Sequence, residues 1–115
     1  MQTNPQFNVH YSEEEHVIGT WVDGKTLYEK TISCGALPNN TTKMINHGIT
    51  NLDTVVGIEG VYYGPGVAGP LPLAYPTVQN SIGVYVLNTQ IGIRTGTDYS
   101  SYPNSYITLR YIKTV

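Results

Sequence analysis

Nowhere does this chain sustain the three-to-four-residue apolar spacing that one face of a helix requires; its apolar residues come in strict alternation or in short β-branched runs. Ser81 to Leu87 alternates cleanly, with Ile82, Val84 and Val86 on one face and Gly83, Tyr85 and Leu87 on the other. Gln90 to Thr95 follows across the Asn88-Thr89 turn, with Ile91 and Ile93 facing inward. Ser105 to Lys113 closes the pattern, with Ile107, Leu109 and Tyr111 on one side and Tyr106, Thr108, Arg110 and Ile112 on the other. Ser12-Glu13-Glu14-Glu15 fits a helix capping box, but Val17-Ile18-Gly19-Thr20-Trp21-Val22 behind it is β-branched and broken by glycine. The helix fails at its first turn.

Asp23-Gly24 separates Val17–Val22 from Lys25–Ile32 and predicts a two-residue type I′ hairpin, pairing Val22 with Lys25, Thr20 with Leu27 and Ile18 with Glu29. Thr42 to Ile49 reads as a short strand. Asp53–Ile58 and Val61–Tyr63 read as two more, around a second hairpin candidate at Glu59-Gly60. Gly64 to Pro72 holds three prolines and three glycines and is expected to be a loop between two halves, with strands resuming at Leu73 to Tyr75. About eight short strands, with turn signals every 8 to 12 residues, predict an all-β sandwich, jelly-roll-like in having a long central crossing. Residues 1–15 are expected to be an extended polar lead-in and residues 16–115 one domain, since 115 residues suffice for a single core.

Charge is scarce. Only 12% of the residues are charged, against about 25% in a typical domain. A net charge of −2 offers no basic field for a phosphate backbone, so nucleic acid is not an expected partner. No run approaches the roughly 20 apolar residues of a membrane span, and no basic stretch with an apolar h-region opens the chain; membrane insertion is not expected. Cys34 is the one cysteine, so neither an internal disulfide nor a cysteine-based zinc site is available, and it reads as a small apolar core residue. The overlapping sequons at Asn39 and Asn40 read as a polar turn.

Catalytic chemistry finds little to work with. Asp23, Glu29, Asp53, Glu59 and Asp98 are scattered over different turns and strands, whereas a glycosidase needs two carboxyls about 5 to 10 Å apart across a cleft. There is no GxSxG, no HExxH and no phosphate-cradling loop leading into a helix, so neither enzymatic activity nor a cofactor is expected. His10 and His16 could meet their counterparts around a symmetry axis and hold a metal, but their spacing is no recognised ligand pattern, and no metal site is expected. His47, followed by Gly48, reads as a structural histidine bonding the backbone of a turn.

Val17-Ile18-Gly19-Thr20-Trp21-Val22-Asp23-Gly24-Lys25-Thr26-Leu27-Tyr28 resembles the opening of a small domain that recurs at the C-terminal ends of bacteriophage tail-fibre and related phage structural proteins. Gly35-Ala36-Leu37-Pro38-Asn39, His47-Gly48-Ile49 with Asn51-Leu52-Asp53, and Tyr106-Ile107-Thr108-Leu109-Arg110-Tyr111-Ile112-Lys113-Thr114 are similar to the same domain in the same order. The resemblance spans Glu13 to Thr114. It implies a β-sandwich tip domain of a virion, usually trimeric, joined to an upstream fibre or virion protein and acting in attachment rather than catalysis. No catalytic motif comes with it.

Ten tyrosines stand beside a single Phe and a single Trp. Tyrosine has an apolar body and a polar tip, so Tyr62, Tyr63, Tyr75, Tyr85, Tyr106 and Tyr111 are expected on sheet faces or at a subunit contact. Interface cores are poor in charge and rich in tyrosine, which predicts a subunit contact; the resemblance implies that the assembly is a homotrimer. Tyr99 and Tyr102 differ, because they sit in a polar loop, Thr95 to Asn104, with no strand pattern. Loops on a rigid sheet collect binding residues. That loop is therefore the expected receptor site: Tyr99 and Tyr102 as aromatic faces, Asp98 as a hydrogen-bonding group, and Arg94 at the strand end as a charged donor for an acidic sugar. The expected partner is a bacterial surface glycan or protein. The competing expectation is a purely architectural trimerising or capping domain, or else a carbohydrate-binding module of a bacterial protein.

Overall fold

The computed structural model describes residues 11–114. Most of the polar lead-in, with His10, lies outside the described residues. The described residues form eight antiparallel strands in two sheets: β1 (His16–Thr20), β2 (Thr26–Ser33), β3 (Thr42–Asn46), β4 (Leu52–Gly64), β5 (Val67–Leu71), β6 (Ile82–Val86), β7 (Gln90–Thr95) and β8 (Asn104–Lys113). The larger sheet runs β1-β2-β8-β4-β5 and the smaller β3-β7-β6. Among the described residues the only helical element is one 3₁₀ turn, Val78–Asn80. The fold is an all-β sandwich of eight strands, as the alternation predicts.

The core lies between the sheets, and the period-2 pattern decides which side chains enter it. Ile107, Leu109 and Tyr111 of β8 meet Ile91 and Ile93 of β7, and all five are fully buried. Ile82 joins them from β6, while Gly83, Tyr85 and Leu87 face solvent. Cys34 and Leu37 fill the end where the chain crosses from one sheet to the other. β8, last in sequence, is central in space, pairing Ile107 with both Ile32 and Gly60 and Leu109 with both Lys30 and Ile58.

Several local expectations are corrected. The β1–β2 hairpin is not a two-residue I′ turn: Gly24 N–H donates to Trp21 C=O, and Trp21 N–H to Lys25 C=O. Gly24 alone takes positive φ, +88°, while the Asp23 carboxylate accepts the Lys25 N–H. This is a three-residue loop with glycine in the left-handed position, and it needs only one positive φ. A bulge at Ile18 shifts the register as well, so Gly19 pairs with Leu27 and His16 with Glu29.

Glu59-Gly60 is not a turn. β4 runs straight through it, with Glu59 opposite Thr108 and Gly60 opposite Ile107. Gly60 serves close packing, because a Cβ there would stand 2.6 Å from Ile107 Cδ1. The Gly64–Pro72 stretch is a tight hairpin into β5 rather than a loop. Pro70 is tolerated because β5 is an edge strand bonded only to β4, where a missing N–H costs the sheet nothing. Leu73–Tyr75 is not a strand either, and only Leu73 bridges to Ile82.

Candidate functional site

The loop expected to bind is braced from below. Tyr99 is 9% exposed, packs edge-on against Tyr62, and donates its hydroxyl to Asn80 C=O at 2.5 Å. Tyr102 is half-buried against the same Tyr62 ring, 5.0 Å between centroids. The backbone is tied to the 37–40 turn: Tyr99 N–H donates to Pro38 C=O, Asn40 N–H to Thr97 C=O and Leu37 N–H to Tyr102 C=O. Asp98 is exposed, but one of its oxygens accepts both the backbone N–H and the hydroxyl of Ser100. Those bonds hold its carboxyl below the usual aspartate range. Arg94 projects from the outer face of the smaller sheet, with Nη1 donating to Thr42 Oγ1 at 3.1 Å, while Ile93 and Thr95 on either side point into the core. Tyr99 and Tyr102 thus come together, 5.9 Å between ring centroids, but Arg94 is turned to Thr42 on the smaller sheet, and Tyr99 is too buried to offer a free ring face. A tyrosine with no strand pattern around it has gone inward because a core position under the loop was open to it.

A different concavity lies on the outer face of the larger sheet. Alternation sends Glu59, Val61 and Tyr63 of β4 and Tyr106, Thr108 and Arg110 of β8 to that face. Beyond β1, Ser12 C=O accepts the Thr31 N–H of β2, so Tyr11 to Glu13 lie beside the sheet. From there Tyr11 reaches over to β4 and donates its hydroxyl to Glu59 Oε2 at 3.2 Å. The result is a groove of about 510 Å³, bounded by Tyr11 and Glu13 on one side and by Val61, Tyr63 and Tyr106 on the other. Tyr63 and Tyr106 stack with ring planes 12° apart and centroids 6.3 Å apart. In the floor, the Thr31 and Thr108 hydroxyls share a 2.7 Å hydrogen bond.

The electrostatics of this face are built around Arg110. Its Nε bonds Glu29 Oε2 at 2.8 Å and its Nη2 bonds Glu59 Oε1 at 3.0 Å. Glu29 is 7% exposed, and His16 Nε2 stands 3.3 Å from its other oxygen. The second ring nitrogen of His16 lies 3.2 Å from Glu14 C=O, so both are engaged within the fold. The Glu59 charge beside it raises the pKa of Tyr11, keeping that hydroxyl a donor. Among the described residues no cluster of three His, Cys, Asp or Glu side chains is arranged to hold a metal.

A second concavity, about 610 Å³, opens along the flank of the sandwich where three strands incompletely cover five. Leu52, Val55 and Ile58 of β4 face Val84 and Val86 of β6 across it, and Ile58 is 41% exposed. Ile82 gives both backbone groups to Leu73, so antiparallel parity turns those of Val84 and Val86 to the same open edge.

His47 was legible in advance as a structural histidine. It is buried, its Nδ1 accepts the Ile49 N–H at 3.1 Å, and its Nε2 lies 3.0 Å from Leu87 C=O, so both ring nitrogens bond the backbone. The groove was not legible. Tyr63 and Tyr106 are 43 positions apart, and only the β4–β8 pairing makes them neighbours. Compared with family models, curated proteins and solved structures, the chain matches none.

Proposed function

We propose that this chain is a non-enzymatic recognition module of a bacteriophage virion, the trimeric tip domain of a tail fibre or similar appendage that contacts the bacterial surface. The ordered motifs from Val17 to Thr114 support the phage assignment by resemblance. The observation that carries recognition is the outer-face groove. Its volume falls in the roughly 300–1,000 Å³ range of small-ligand sites, and it combines tyrosine rings with a few polar groups. Contact with the host therefore belongs to Tyr11, Tyr63 and Tyr106 rather than to Tyr99 and Tyr102, which hold the 95–104 loop onto the core.

The test is adsorption of the fluorescently labelled domain to cells of the bacterium whose phage or prophage carries the gene. The parent binds, and a Tyr63→Ala, Tyr106→Ala double variant with unchanged mass and melting temperature loses most of the signal. A parent that fails to adsorb ends the reading. A gene neighbourhood without tail or capsid genes moves the chain to the carbohydrate-module alternative.

The open flank favours a second, architectural reading. An apolar cleft bordered by an edge strand with outward backbone groups suits a subunit contact. Light scattering reads it directly: a trimer mass that collapses in Ile58→Lys, Val84→Lys supports assembly through this flank, and a monomeric parent removes it.

A further inference from the structure

Resting on the reading of the groove as a recognition site, we infer that it selects an uncharged sugar and rejects acidic glycans. Three carboxylates, Glu13, Glu29 and Glu59, stand on this face against one guanidinium. Arg110 spends Nε on Glu29 and Nη2 on Glu59, so its charge is already directed at protein carboxylates. Glu13 lines the groove with no ion-pair partner among the described residues. A sialic acid, uronic acid or phosphate would bring its own negative charge beside Glu13 and Glu59 with no free cation to receive it, and like charges at such range repel.

The same groups suit a neutral pyranose. Its C–H face is apolar and can lie on the Tyr63–Tyr106 stack, an aromatic surface near the groove mouth on neighbouring strands. Its hydroxyls find acceptors in the Glu13 carboxylate and in the Tyr11 oxygen. Without charge on the ligand, binding is nearly indifferent to salt, because screening acts only on charge–charge terms.

The experiment is a nitrogen-15 NMR titration of the full chain with maltotriose, chitotriose and lactose, and with trigalacturonate and 3′-sialyllactose as acidic counterparts. Expected is saturable perturbation around Tyr63, Tyr106 and Tyr11 by at least one neutral sugar, unchanged between 20 and 300 mM salt on the order of the screening range. The matched acidic sugar binds at least about tenfold more weakly, a gap that Glu13→Gln narrows. Tyr63→Phe keeps the ring and the affinity; Tyr63→Ala loses it. The inference is overturned if no neutral sugar perturbs the groove, if an acidic one binds as well, or if Tyr63→Ala binds like the parent. Cell adsorption run alongside separates the two readings: adsorption without any neutral-sugar binding discards this inference alone, and no adsorption discards the recognition role itself.

Discussion

At the scale of single residues, the polar groups of this protein are spent on holding its own chain. Cys34 is 3% exposed, and burial pushes its thiol up to about 11. The thiolate is the reactive form, so the folded protein should resist a disulfide reagent at pH 8 and react with one equivalent on unfolding in guanidinium. Fast labelling of the native state would contradict the core assignment. Glu15 illustrates the opposite sign. Desolvation opposes its charge, but hydrogen bonds from Tyr111 at 2.6 Å and Lys113 at 2.9 Å outweigh that and hold its pKa below the ordinary glutamate value. Between the lowered pKa and the unfolded value near about 4.3, the unfolded chain carries more protons, so stability rises with pH. The Glu15 contribution is complete above the unfolded value and disappears as pH falls through the folded one. Glu15→Gln should therefore lose less stability than the parent between pH 6 and pH 3 in urea denaturation. Asp98, also held low, keeps part of the acid slope in both.

At the scale of elements, two glycines do different work that substitution separates. Gly24 holds φ at +88° with open space where a Cβ would go. Gly24→Ala therefore meets only the backbone penalty of the left-handed region, about 1 to 2 kcal/mol. Gly60 has ordinary strand geometry, but a Cβ there would lie 2.6 Å from Ile107 and 2.9 Å from Leu71, on the core side of β4. Gly60→Ala forces β4, β5 and β8 apart and should cost roughly 1 to 3 kcal/mol by overpacking. Ile107→Val in the same chain removes the clashing methyl. Thermal melts of the two singles and the Gly60→Ala, Ile107→Val pair check this: the pair should be more stable than additivity predicts, and simple additivity would contradict the packing account.

At the scale of the whole molecule, β8, the strand latest in sequence among the described residues, is the one the larger sheet is built around. β2 and β4 both bond to β8 and not to each other. Until residues 104–113 are present, two strands lack their shared partner and the inner side chains of β7 lack a cover. Deleting residues 104–115 should abolish cooperative unfolding, seen as a broad, sloping denaturant profile with collapsed amide dispersion. A truncated chain that still melts sharply would show the sandwich does not depend on β8. Such long-range pairing also predicts folding on the slow, millisecond-to-second side, as contacts distant in sequence form only after costly loop closure.

The sequence by itself determined what depends on neighbours in the chain: strand identity in β6, β7 and β8, which alternate side chains enter the core, the burial of Cys34 and the turn-bonding of His47. Those follow from the two-residue period and from side-chain chemistry, and both are local. Tertiary structure alone decided the rest. β4 stays straight through Glu59-Gly60 because β8 lies opposite, and Pro70 sits in a strand because β5 is at an edge. Tyr99 is core because Tyr62 and Asn80 wait beneath its loop. Tyr63, Tyr106 and Tyr11 make a groove because strands far apart in sequence were brought side by side. A tyrosine carries the same apolar ring and the same hydroxyl in either setting, so only the surface packed against it decides whether it supports the fold or faces a ligand.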